Sequence, residues 1–247
     1  MLQQSLLFQF KHGDHICVFY RSETSLREVL TPYIAEGLRL GERCFCAQKA
    51  ETNKRLLFDL RFLGFDTDDA VRRGALELHT VDEVYFPYRK FEHASMIELL
   101  ARSMEDAIAR GFSALRTAGE LSWATQGFAG CDQLLTYEKW VDQYFPGRRV
   151  IGLCQYDVNA FTPDALATVI DAHRMHFSKE ELNSCHTGIC FRSGNCWTEI
   201  VADKLVVSPS YYYVVQRHKS TDVLGWGVAP TFDTASHQAE QLVREAS

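Results

Sequence analysis

The sequence has no apolar run approaching the roughly 20 residues needed to cross a bilayer, so a spanning helix is not expected. It also lacks a surplus of positive charge. Its 26 Lys and Arg stand against 32 Asp and Glu, for a formal net charge of −6. A chain without a basic face has little with which to displace counterions from a phosphate backbone. No basic stripe, zinc-finger spacing or helix-turn-helix pattern is present, so any control of transcription is expected to act through a protein partner rather than direct nucleic-acid contact. The stretch Met1 to His15, with Gln3, Gln4, Lys11, His12 and Asp14, does not read as a signal peptide, and a cytoplasmic protein is expected. No internal repeat or low-complexity linker interrupts the chain.

What is present is ordinary for a folded domain: 247 residues, 46% hydrophobic and 23% charged, enough for one large domain with a full core. Eight cysteines stand at 17, 44, 46, 131, 154, 185, 190 and 196. Five of them lie in or beside apolar strand-like or helical segments, which suits reduced, buried thiols better than disulfides.

Short apolar runs alternate with amphipathic stretches. His15–Tyr20, Arg43–Ala47, Ala75–His79, Phe112–Thr117 and Arg149–Tyr156 read as strands. Helices are predicted after Ser22, over Thr52–Leu63, Ser95–Arg110, Gln133–Tyr144 and Pro163–His173, several of them closed by glycine. Alternation of this kind means βαβ units and a mostly parallel sheet covered on both faces. After His176 the pattern breaks down into a Cys- and aromatic-rich tail with a short helix from about Thr234. The tyrosine run of Ser208–Val215 is expected to form an edge strand.

Ligands of open parallel sheets sit beyond the carboxyl ends of the strands. Here those ends carry Tyr20, Gln48, Gly119-Glu120 and Gln155-Tyr156-Asp157. A phosphate-binding loop after the first strand needs glycines whose amides wrap the phosphates, a lysine to reach them and a hydroxyl for the metal. Tyr20-Arg-Ser-Glu-Thr-Ser-Leu-Arg27 offers no glycine and no lysine, and places Glu23 where phosphate would lie.

The Pro32-to-Gly37 helix end, the Gly41-Glu42 entry to the second strand and Leu63-Gly-Phe-Asp66 before Gly74-Ala-Leu-Glu-Leu78 resemble KaiC/RecA-like ATPases, with Leu26 where the catalytic lysine would fall. Within that group the chain is most similar to the MEDS family, the sensory domain of methanogens, methylotrophs and the repressor of dichloromethane dehalogenase. The residues carrying this are His15–Tyr20, Gly37-Leu-x-x-Gly-Glu-Arg-Cys44, Arg116-Thr-Ala-Gly-Glu-Leu-Ser-Trp123, Tyr137-Glu138, Leu153–Asp157 and His173.

The resemblance implies an α/β RecA/KaiC-like three-layer sandwich with a degenerate P-loop over residues 1–176; beyond it, the break in pattern reads as a small irregular C-terminal extension, 177–247, packed on the same domain. The resemblance further implies a sensory module that binds no ATP and signals to a kinase or transcription regulator. Self-association is expected by analogy with RecA-like domains. The family name points to one-carbon compounds as the signal.

Two constellations are candidate sites. His15, Cys17, Tyr20, Glu120, Trp123, Cys154, Tyr156 and Asp157 are expected to converge on one pocket for a small, weakly polar ligand. Each cysteine taken singly reads more simply as a core hydrophobe, and His15 as a strand-start residue bonded to backbone. Cys185, His186, Cys190 and Cys196, with His173 and His176 upstream, have the ligand types of a zinc, copper or iron–sulfur site, although the spacing is not that of a paired knuckle. The alternative to a receiver is an enzyme: a residual phosphotransferase, or a metal- or thiol-dependent redox catalyst or sensor built on those tail cysteines. A third option is an adaptor that recognises only protein.

Overall fold

The computed structural model describes residues 10–245 except 174, 179–186, 194–195, 204–209, 218–222 and 230–231, and from 174 to 233 it defines backbone alone. Among the described residues, ten strands form one sheet in the order β10-β9-β8-β7-β6-β1-β5-β4-β2-β3. The first five are β1 (His15–Tyr20), β2 (Arg43–Gln48), β3 (Leu76–Thr80), β4 (Leu115–Glu120) and β5 (Val150–Asp157). They run parallel, and β6 (Met175–Ser178) joins them parallel to β1. β1 therefore lies beside β5, with β4 next along, the order that the RecA-like resemblance implies.

The expected irregular tail is regular. β7 (Thr187–Ser193), β8 (Cys196–Asp203), β9 (Ser210–Arg217) and β10 (Val223–Ala229) extend the same sheet as an antiparallel meander. The tyrosine run lies in β9, which has β8 and β10 on its two sides, so β10 rather than β9 forms that edge. These stretches of seven or eight residues mix polar and apolar positions without a clean period, so their sequence signal is weak and their pairing is supplied by the rest of the sheet.

Side chains alternate across each strand, so each strand feeds two cores. On one face Ile16, Val18, Cys44, Cys46, Ala118, Ile151 and Leu153 meet Leu26, Leu30, Tyr33 and Ile34 of α1 (Glu23–Arg39). Leu56 and Leu60 of α2 (Ala50–Phe62) and Ala70 of the short α3 (Thr67–Arg72) complete that layer. On the other face Cys17, Phe19, Phe45, Leu115, Val150, Cys154 and Tyr156 pack on four helices. These are α4 (Val81–Tyr85), α5 (His93–Ala109), α6 (Leu134–Tyr144) and α7 (Pro163–Ala172). The last helix, α8 (Phe232–Glu245), crosses β8, β9 and β10 and returns Ala235 to the first core. The result is a three-layer α/β sandwich. No helix among the described residues is long and apolar enough to cross a membrane.

Candidate functional site

β1 passes into α1 through Arg21 and Ser22 alone, too short a turn to wrap a phosphate. Its amides are already engaged by the chain. Ser22 Oγ accepts from the Ser25 amide at 3.2 Å, and Ser25 Oγ accepts from the Ser22 amide at 3.1 Å and the Arg21 amide at 3.3 Å. This reciprocal cap satisfies the helix N-terminus that an anion would otherwise use. Leu26, at the lysine position, is buried in the core.

The eight residues expected in one pocket separate into four places, chiefly because strand alternation sends them to opposite faces. Tyr20 and Glu120 meet at the carboxyl end of the α1 face, with the Tyr20 hydroxyl donating to Glu120 Oε1 at 2.9 Å. Glu120 Oε1 also accepts from the Ser122 amide at 3.0 Å. Burial and the nearby carboxylate push the Tyr20 phenol well above its ordinary value, so it remains a donor. Glu120 is in register with Gln155, and Gln48 stands one step past the Ala47–Gly119 pairing. The three form a polar row across β2, β4 and β5, buried to 0%, 2% and 0% exposure for Gln48, Glu120 and Gln155. Gln48 donates to the Ala118 carbonyl, while its Oε1 and both polar atoms of Gln155 have no hydrogen-bond partner.

Trp123 lies elsewhere, on the opposite core, with ring centroids 4.6–5.1 Å from Phe91, Tyr85 and Phe86. Asp157 caps the turn after β5, accepting from the Asn159 amide and side chain at 2.9 Å each. Two surface clefts of about 570 and 580 Å³ flank the α4–α5 region, and no residue expected at the site lines either.

The fourth place holds His15, Cys17, Cys154 and Tyr156 on the α6–α7 face. Cys17 and Cys154 are register partners. His15 Nε2 lies 3.3 Å from Cys154 Sγ and 3.0 Å from Glu138 Oε2, and Glu138 Oε2 is also 3.0 Å from His173 Nε2. The two imidazole centroids are 4.1 Å apart. Burial opposes charge on Glu138, yet the two imidazoles hold its carboxyl well below the usual carboxylate range. Burial likewise opposes charge on His15, but the carboxylates of Asp142 and Glu138 outweigh it and raise this imidazole above its ordinary value. Burial and the neighbouring His15 depress His173. Burial raises the Cys154 thiol.

Glu138 and Asp142 belong to this cluster but were not assigned to a site from the sequence. Their i, i+4 spacing on α6, which places both on one helix face, was the available signal. In the tail, Cys185 and His186 fall outside the described residues. Cys190 lies on β7 opposite His176 and Glu199, and Cys196 on β8 opposite Ser193, with backbone alone defined.

Fold and site together define a three-layer α/β domain whose turn after β1 is closed by its own side chains. The model of the MEDS family, the methanogen/methylotroph, DcmR sensory domain, matches residues 14–174, and the chain belongs to that family. Its role is sensory and regulatory. It is 27% identical over 178 residues to the transcriptional repressor DcmR of Methylorubrum extorquens, covering 70% of this chain and 63% of that protein. The chain thus spans under two thirds of the length of this curated relative. Among solved structures it is similar to a KaiC-like protein from Pyrococcus horikoshii, with TM-score 0.49, 12% identity and coverage of 90% and 91% of the two chains. It is also similar to the flagellar accessory protein FlaH from Methanocaldococcus jannaschii, with TM-score 0.44, 12% identity and coverage of 89% and 91%.

Proposed function

We propose that this chain is a non-catalytic receiver that binds a small hydrogen-bonding molecule at the polar row of Tyr20, Gln48, Glu120 and Gln155 and signals occupancy to a protein partner in transcriptional control. The observation that carries this reading is Gln155, wholly buried at the carboxyl end of β5 with neither amide atom hydrogen-bonded. A buried amide left unpaired costs about 1–3 kcal/mol, which a guest supplying one donor and one acceptor would recover. The row lies where open α/β sheets bind ligands.

Relay to the surface has a short route. A guest that competes for Glu120 displaces the Tyr20 hydroxyl, and Tyr20 is only two residues from the first turn of α1. The partner, by the likeness to a transcriptional repressor, belongs to transcription control.

Thermal denaturation of the full chain with methanol, formamide, dichloromethane or Mg-ATP tests the reading. At 100 times its Kd a bound compound adds about 2.7 kcal/mol, a shift of a few degrees. At least one neutral compound should stabilise the wild type and leave Gln155→Leu unmoved. Stabilisation by Mg-ATP alone, or equal stabilisation of both proteins, would overturn it.

A further inference from the structure

Four side chains from four separate stretches of chain converge in the core beneath α6 and α7. His15 opens β1, Cys154 lies in β5, Glu138 is on α6, and His173 follows α7. One ligand atom from each lies within 4.8 Å of all the others, and all four residues are buried. We propose that His15, Glu138, Cys154 and His173 form an internal site for one divalent transition-metal ion of the zinc class.

The geometry of unmet polar atoms carries this. His173 Nδ1 lies 2.8 Å from the Val169 carbonyl, which can only accept, so the proton is on Nδ1. In the neutral ring Nε2 then presents a lone pair, and it does so 3.0 Å from a carboxylate oxygen. Neither Glu138 oxygen nor His173 Nε2 has hydrogen-bond geometry to any partner. His15 Nε2 is paired with Cys154 Sγ, while the Glu138 carboxylate and His173 Nε2 stand close with their lone pairs unmet, as donors facing a common centre would.

The chemistry of the set agrees. Two imidazoles, a carboxylate and a thiolate are the donors zinc takes in four-coordinate sites. Metal–ligand bonds of roughly 2.0–2.3 Å require tetrahedral donors to stand roughly 3.3–3.7 Å apart. The present 3.0–3.3 Å approaches open by a few tenths of an ångström, while the wider separations, up to 4.8 Å, close by about 1 Å. On binding, the Cys154 thiol gives up its proton to solvent as sulfur bonds the metal. The dication, thiolate and carboxylate then sum to zero charge, which a dry interior favours.

An outer layer is also present. Asp142 Oδ1 lies 3.8 Å from His15 Nδ1, beyond hydrogen-bonding distance but within one small ring rotation of it, and the Val169 carbonyl accepts from His173 Nδ1. Carboxylate and carbonyl partners of this kind set the tautomer of metal-bound imidazoles.

Four protein ligands leave no open position, so the ion would be structural or regulatory rather than catalytic. It would tie β1, β5 and α6 to His173, two residues before β6 and the antiparallel extension. Metal loading would thereby govern how firmly the C-terminal strands are held. This site lies on the opposite sheet face from the Gln48–Glu120–Gln155 row, and the two proposals stand or fall separately.

The test is elemental analysis of the full chain purified without chelator, followed by cobalt(II) titration of the stripped protein. The wild type should hold one equivalent of zinc and, with cobalt, show thiolate-to-metal charge transfer and tetrahedral visible bands. Cys154→Ser should lose the charge-transfer band and bind more weakly. Asp142→Asn should weaken binding by about 10-fold. The triple variant Cys185→Ser, Cys190→Ser, Cys196→Ser should bind as the wild type does. Should His173→Gln fail to fold, the near-isosteric Cys154→Ser still decides. Absence of cobalt bands at millimolar cobalt, or bands lost in the tail triple variant and kept in Cys154→Ser, would overturn the proposal.

Discussion

Arg116 and Glu42 form an ion pair with almost no solvent contact, Nε to Oε2 at 2.5 Å, and the guanidinium lies 4.5 Å above the Tyr33 ring. Gly37 is what lets this arginine in. A Cβ there would fall 2.5 Å from Arg116 Cδ and 2.8 Å from Cys44 Sγ. The residues shared with the family around Gly37, Glu42, Cys44 and Arg116 are thus one packing unit rather than a ligand site. Gly37→Ala should cost about 1–3 kcal/mol in urea denaturation through overpacking. Glu42→Gln should cost more, about 3–5 kcal/mol, because Arg116 is left buried beside a neutral group. Gln155→Leu should act in the opposite direction. Removing an unpaired buried amide stabilises the ligand-free protein by about 1 kcal/mol while abolishing the response to small neutral compounds. A Gln155→Leu protein less stable than the wild type would show that the amide is satisfied and the row is structural.

At the scale of elements, α1 is fastened to its neighbours in two ways. Its N-terminus is closed by the Ser22–Ser25 cap, and its outer side is held to α2 by Arg27, which donates to Asp59 at 2.6 and 2.8 Å. Ser22→Ala should cost about 1 kcal/mol. The hydrogen bonds from Arg27 hold the Asp59 carboxyl below its ordinary value. A carboxyl depressed in the folded state contributes stability above the unfolded pKa and loses it as pH falls through the folded one. The pair is partly exposed, so the contribution is under about 1 kcal/mol. The difference in urea midpoint between wild type and Asp59→Asn should therefore be present at neutral pH and fade below about pH 4. A difference that grows on acidification would refute the assignment.

At the scale of the whole molecule, the family match ends at residue 174 while the sheet continues through five more strands, β6 to β10. β6 is bound on one side to β1 and on the other to β7, and Ala235 of α8 enters the same core as α1. We expect one cooperative unfolding transition for the full chain. A truncation after Ser178 should expose the β6 edge and aggregate. Limited proteolysis yielding a stable, soluble 1–178 fragment would show instead that the extension is a separate unit.

The strand–helix alternation through Ala172 was legible because buried parallel strands are short apolar runs and their covering helices carry a 3.6-residue period. So was the loss of the phosphate loop, since glycine and lysine are chemical requirements that can be read one letter at a time. The sheet order was reachable too, through the family likeness, and with it the meeting of Tyr20 with Glu120. Alternation along β1 already sends His15 and Tyr20, five positions apart, to opposite faces. Which face each shares with Cys154 of β5 or Glu120 of β4 is decided only by the strand register and by the helices packed on each side. The sequence alone could not join His15 to Glu138, Cys154 and His173, whose separations run from 16 to 158 positions along the chain. Local sequence dictates propensity and period; contact between distant polar groups is decided by how the layers close over them.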